Sequence, residues 1–168
     1  LQRVYSLRDQ RVAQLMESLS TLSGAAPKAV RQTPALIRAR TCYDHLAGQI
    51  GVRLFEVLLA KHAITEPKIL RTQKNPGSPV ELGKNGQKVF GGLGIDVEEV
   101  MRGRKPYAFA CRDWTEQLPH LGGRLGASLW GRFVEAGWVS RQPGTRTVLI
   151  TARGRRALDT TFGIKLAG

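Results

Sequence analysis

Cysteine is scarce in this chain, at two among 168 residues, and two thiols cannot staple a disulfide-dense scaffold. A metal site or a redox pair stays open to Cys42 and Cys111. Long apolar runs are missing as well: nothing approaches the ~20 residues that cross a bilayer. Nor is there a charged-then-apolar leader ending in small residues. These absences predict a soluble, cytoplasmic protein with no membrane partner. Catalytic signatures are equally thin. The chain has no nucleophile elbow, no phosphate-binding loop and no glycine-rich fingerprint after a strand, so no enzyme is expected. The last shortage is of acid. Thirteen Asp and Glu face 26 Lys and Arg, a formal net charge of +13, and such a balance favours a polyanionic partner, most often nucleic acid.

The excess of base is uneven. Residues 1–40 carry 7 basic and 2 acidic side chains, residues 41–99 carry 7 and 7, and residues 100–168 carry 12 and 4. No acid lies between Glu135 and Asp159, where Arg141, Arg146, Arg153, Arg155 and Arg156 all fall. These five arginines are the candidate phosphate contacts; the plainer alternative is a solvated basic face.

What is present twice organises the rest. "CYDHLAGQIG" at 42–51 and "HLGGRLGAS" at 120–128 share a His, Leu, small residue and Gly, so His45, Gly48 and Gly51 match His120, Gly123 and Gly126 at an offset of 75. The offset continues through Leu54 with Leu129, Phe55 with Trp130, Leu58 with Phe133 and Ile64 with Val139. In the second copy a helix, the strands "WVSRQ" and "RTVLIT" around "PGT", and a further helix follow in order. The first copy keeps the helices, while Pro67, Pro76 and Pro79 weaken its hairpin. Ahead of both, Val12, Leu15, Met16, Leu19 and Leu22 form one apolar stripe at helical spacing, which requires a partner helix. The fold class expected is mainly α with short β-hairpins: two tandem winged-helix-like repeats preceded by a dimerisation helix. The expected boundaries are 1–24 for the strand and dimerisation helix, 25–40 for a linker, 41–99 for the first repeat and 100–168 for the second.

The segments "RTCYDHLAGQIGV", "CRDWTEQLPHLGGRLGA", "GWVSR" and "LITARGRRAL", with "RVYSLRDQRVAQLMESLS" before them, resemble the C-terminal part of ArsR-type winged-helix transcriptional regulators that carry an extended C-terminal region. The resemblance covers nearly the whole chain. That family places a helix-turn-helix before the stretch matching "RVYSL", and this sequence does not contain it, so a truncated DNA-binding domain is expected. The resemblance implies a repressor that binds DNA as part of a full-length homodimer. It places residues 8–22 at the dimer seam, with a small-molecule or metal effector setting operator affinity.

Both copies place a Cys-x-Asp ahead of the His: Cys42, Asp44 and His45, then Cys111, Asp113 and His120, with "WTEQLP" inserted in the second. If the two copies pack about a twofold axis, these side chains converge. Two readings follow. One is an effector pocket between the copies lined by Tyr43, Asp44, His45, Asp113, Trp114 and His120. The other is a metal- or thiol-based sensor using Cys42, His45, Cys111 and His120, a donor set that zinc and softer ions accept. The plainer alternative makes each cysteine a small buried residue and each aspartate the cap of a helix beginning at its own His. A self-sufficient basic nucleic-acid module is the remaining rival. Gly48, Gly51, Gly123 and Gly126 would serve either close approach of two helix backbones or room for a ligand.

Overall fold

The computed structural model describes Leu19 and residues 33–67, 77–102 and 107–166. In chain order they form α1 (Pro34–Arg38), β1 (Arg40–Cys42), β2 (His45–Ala47), α2 (Gln49–Ala60), β3 (Gly77–Pro79), α3 (Gly86–Gly91) and α4 (Val97–Arg102). Then come β4 (Phe109–Arg112), β5 (Pro119–Gly122), α5 (Gly123–Glu135), β6 (Val139–Arg141), β7 (Val148–Ile150) and α6 (Ala152–Phe162). The strands make three small antiparallel sheets, β1–β2, β3–β4–β5 and β6–β7. No helix among the described residues is long and apolar enough to cross a membrane.

This mixed helix-and-sheet architecture corrects the expectation of a mainly α chain built as two tandem winged-helix-like repeats. Among the described residues a hairpin between two helices is present in the second copy alone, as β6–β7. Between α2 and α3 the described residues of the first copy make an isolated antiparallel bridge, Ile64↔Leu82. The segment that would have supplied a strand there contributes β3 to the other copy's sheet instead, pairing Gly77 with Cys111 and Pro79 with Phe109. Because β3 is an edge strand, Pro79 sits there with little loss to the ladder. The second departure is at the histidines. His45 and His120 do not begin helices; each lies on the second strand of a hairpin that precedes its helix.

The unit that recurs is therefore a hairpin followed by a helix. Cys42 pairs across β1–β2 with His45, and Cys111 pairs across β4–β5 with His120. In α2 the buried Ile50, Leu54, Phe55 and Leu58 form one stripe, and in α5 Leu125, Leu129, Trp130 and Phe133 repeat it at the same spacing. Apolar residues at i, i+4, i+5 and i+8 bury one face of a helix. The faces are exchanged: α2 packs chiefly on β5, and α5 packs chiefly on β2. Apolar residues from both units join in one continuous core, from Ala39 to Ile164.

Two glycines make that exchange possible. A Cβ on Gly51 would stand 2.6 Å from the Leu46 carbonyl oxygen and 3.4 Å from the His120 Cβ. A Cβ on Gly126 would come closer still to the Leu121 carbonyl oxygen, and would stand 3.2 Å from the His45 Cβ. The close approach is thus of each helix to its own preceding strand and to the other unit's histidine, not of one helix to another. It accounts for glycine inside a helix, where it costs ~1 kcal/mol relative to alanine.

The C-terminal hairpin closes the assembly. The Thr41 N–H donates to the Arg146 carbonyl at 2.9 Å, and the Val148 N–H donates to the Ala39 carbonyl at 3.0 Å. The second sheet edge of β1 is thereby occupied. Helix α6 follows with Thr151 as its cap, the side chain accepting the Gly154 N–H at 2.9 Å, and stops at Gly163, whose φ of 69° is left-handed. Of the expected dimer stripe, Leu19 is described, helical and 55% exposed; Val12, Leu15, Met16 and Leu22 lie outside the described residues.

Candidate functional site

The exchanged packing brings β2 against β5, and with them the two Cys/His pairs. One donor atom each from Cys42, His45, Cys111 and His120 lies within 4.8 Å of all the others. The two Sγ atoms are 4.0 Å apart and the two Nε2 atoms 3.2 Å apart. Cys42, His45 and His120 are buried, while Cys111 is partly exposed.

Carboxylates stand behind both imidazoles. His45 Nδ1 lies 3.0 Å from Asp44 Oδ1, and His120 Nδ1 lies 3.4 Å from Asp113 Oδ2. At His45 the Asp44 carboxylate is within hydrogen-bond reach of Nδ1 and can hold the proton there, leaving Nε2 on the far side of the ring, whereas His120 Nδ1 is buried without a hydrogen-bond partner. The two Nε2 atoms face one another at 3.2 Å, close enough for one ring to donate to the other or for both to turn a lone pair to a cation between them.

Asp113 does more than orient a ring. It is fully buried and forms an ion pair with the equally buried Arg40 at 2.5 Å. Its Oδ1 also accepts from the Thr115 N–H and hydroxyl, both at 2.9 Å, and its Oδ2 accepts the Gly48 N–H at 2.7 Å. The aspartate therefore caps no helix of its own unit; it fastens the start of α2, in the other one. Arg40 completes the cage, donating to Thr115 Oγ1 at 3.1 Å and lying 4.5 Å over the Trp114 ring. Burial would raise the Asp113 carboxyl, but the Arg40 cation and the Gly48 N–H outweigh it and lower its pKa to about 2.

Within the cluster the hydrogen bond to Cys111, reinforced by burial, pushes the Cys42 thiol up to about 11. Burial pulls His45 down, yet its hydrogen bonds to Asp44 and Cys42 prevail and raise it to about 9. Both shifts favour proton-bound donors, the state that a cation would displace.

Of the six residues expected to line an effector pocket, His45, His120, Asp44 and Asp113 are brought together. Trp114 lies against Arg40, and Tyr43 is in the two-residue β1–β2 turn with a φ of 66°. Arg40 and Thr115 carry no sequence signal as site residues. Arg40 lies before the repeated stretch, 73 positions from Asp113, and no local motif couples them. Among the candidate phosphate contacts, Arg141 is exposed with its guanidinium 5.4 Å from the Trp130 ring centre, and Arg153, Arg155 and Arg156 are exposed on α6. Arg146 is partly buried, which lowers its pKa.

A net charge of +13 and a buried cluster of four possible ligands between two hairpin-and-helix units suit the class of regulators that work on a polyanion. Comparison specifies it. The chain is 33% identical over 168 residues to the uncharacterized HTH-type transcriptional regulator YdfF of Bacillus subtilis (strain 168), an alignment covering 98% of this chain and 70% of that protein. The chain belongs to this family of HTH-type transcriptional regulators. No family model and no solved structure matches it.

Proposed function

We propose that this chain is the effector-sensing and dimer-forming portion of an ArsR-like DNA-binding repressor, and that its effector is taken up at the Cys/His cluster. One observation carries the reading: donors from two separate hairpin–helix units converge on a single buried point, so whatever binds there sets how the units sit together. Asp113 links that point through Arg40 to β1, and through Gly48 to the start of α2. A bound effector thus bears on β1 and on the start of α2 together. The homodimer of this reading forms through Val12, Leu15, Met16, Leu19 and Leu22, and the exposed Leu19 supports it.

The test uses full-length protein and a DNA fragment selected by it from a random-sequence pool. Metal ions and small thiol-reactive or anionic compounds are screened for a shift in affinity for that fragment. The shift should vanish in Cys42→Ser/Cys111→Ser and in His45→Ala. An unchanged response in both variants moves the effector site elsewhere.

In the same reading Arg141, Arg146, Arg153, Arg155 and Arg156 contact phosphate. Replacing Arg153, Arg155 and Arg156 with Gln should reduce the slope of log affinity against log salt by roughly 0.9 for each phosphate no longer neutralised, roughly 2.7 in total. An unaltered slope would reduce the stretch to a solvated face.

A further inference from the structure

The separations within the cluster carry information about its occupant. Zinc bonds to thiolate at ~2.3 Å and to imidazole at ~2.0–2.1 Å, so the edges of a tetrahedral site are ~3.8 Å between sulfurs and ~3.3 Å between nitrogens. The observed edges are 4.0 and 3.2 Å. Every other donor pair lies inside 4.8 Å, against ~3.6 Å for a sulfur–nitrogen edge, so the remaining edges close with side-chain shifts of about an ångström or less. Both rings present Nε2 and keep Nδ1 toward a carboxylate, the outer-shell arrangement of imidazole–metal sites.

Charge narrows the choice further. Two thiolates and two neutral imidazoles total two negative charges in a buried setting; the adjacent Arg40–Asp113 pair is itself neutral, and the Asp44 carboxylate beside His45 is half-exposed and solvated. A divalent ion brings the centre to zero. A monovalent ion leaves an uncompensated buried charge, which is strongly disfavoured. Four protein donors also fill a tetrahedron, so no coordination position is left for a substrate or for water.

We propose that Cys42, His45, Cys111 and His120 form a closed tetrahedral site for one divalent ion of the zinc class, which ties the two hairpin–helix units to one another. The proposal deepens the effector reading and rests on it for the site's regulatory role. Each unit supplies one thiolate and one imidazole, so neither unit holds the ion alone. Asp44 braces the imidazole of His45, Asp113 stands 3.4 Å from Nδ1 of His120, and Cys111 is the partly exposed ligand of the four.

The experiment uses the full-length protein, stripped by chelator under reducing conditions and titrated with Co2+. One equivalent per chain should give the strong visible bands of tetrahedral cobalt and near-ultraviolet thiolate-to-cobalt charge transfer, and one equivalent of Zn2+ should abolish both. Cys42→Ser/Cys111→Ser should lose the charge-transfer band. His45→Ala and His120→Ala should each weaken Zn2+ binding by more than about 100-fold, beyond the loss typical of an outer-shell change. Far-ultraviolet dichroism of the stripped variants against the stripped parent separates lost ligation from lost fold. Weak octahedral spectra, or tetrahedral spectra that survive the double cysteine substitution, overturn the assignment. Tight Cu+ binding with no tetrahedral cobalt spectrum overturns its divalent character. Should Zn2+ bind as described and leave affinity for the selected DNA unchanged, the metal site stands and the regulatory reading of it fails.

Discussion

The two hairpin–helix units supply the same donors but support them unequally. Asp44, behind His45, is 49% exposed, and its carboxylate meets that one ring. Asp113, behind His120, is fully buried and holds Arg40, Thr115 and the backbone of Gly48 together, with the ring's Nδ1 3.4 Å away. The insertion "WTEQLP" makes this difference. It lengthens the β4–β5 turn, brings Thr115 and Glu116 N–H groups to Asp113 and places Trp114 beside Arg40. The second unit is a fixed anvil for its histidine, while the first presents its pair on a two-residue turn with solvent behind it. Equivalent positions in a duplicated sequence need not be equivalent energetically; the environment of the carboxylate decides.

The sharpest way to break this comparison is at the buried pair. Asp113→Asn leaves the Arg40 guanidinium uncompensated in the interior, which should cost about 3–5 kcal/mol in chemical denaturation. Should the loss stay below about 1 kcal/mol, Asp113 would be no more than a counterpart of Asp44. The glycines probe the interlocked packing next. A methyl group at position 126 meets the Leu121 carbonyl more closely than one at position 51 meets the Leu46 carbonyl. Each change to alanine should destabilise by about 1–3 kcal/mol, with Gly126→Ala the larger. A reversed order would show that the second unit yields more easily than its anchoring suggests. The smallest effect belongs to Asp44→Asn. One hydrogen bond at a half-exposed carboxylate is worth about 1 kcal/mol or less to the fold. Zn2+ affinity should nonetheless fall about 10–100-fold, as expected for an outer-shell partner. Calorimetric titration of that variant with Zn2+ checks the separation of the two quantities.

The internal offset of 75 makes the site's four donors legible without any fold, because it ties Cys42 and His45 to Cys111 and His120. Secondary structure around them is harder to read. Strands β1 and β2 have three residues each, all buried, so they show none of the alternation that marks a half-exposed strand. With the glycine-spaced helix immediately after, the local pattern at each histidine reads as a helix start. The hairpin β6–β7 is legible because "PGT" punctuates it and Val148 and Ile150 alternate with Leu149 on a β-branched segment. Strand β3 is not, since its pairing with β4 is long-range and its Pro79 argues against any ladder. Arg40 is hidden for the same reason: an ion pair across 73 positions leaves no local trace. The dimer stripe rests on residues of which only Leu19 is described.

The exchange of helices between hairpins has a consequence for the order of events in the cell. Helix α2 finds its main bed on β5, and β1 finds its second edge partner at Arg146–Val148. When a ribosome has released the first thiol and imidazole, the surfaces that cover them are still to be made. At about 5–20 residues per second, the roughly 75 to 105 residues still needed take on the order of 4 to 20 seconds. Throughout that interval Cys42 and His45 stand on an unfinished half-core, open to oxidants and to any ion that favours thiolate. The reducing capacity and free-metal level of the compartment therefore act on this protein while it is being made, before there is a finished site for either to reach.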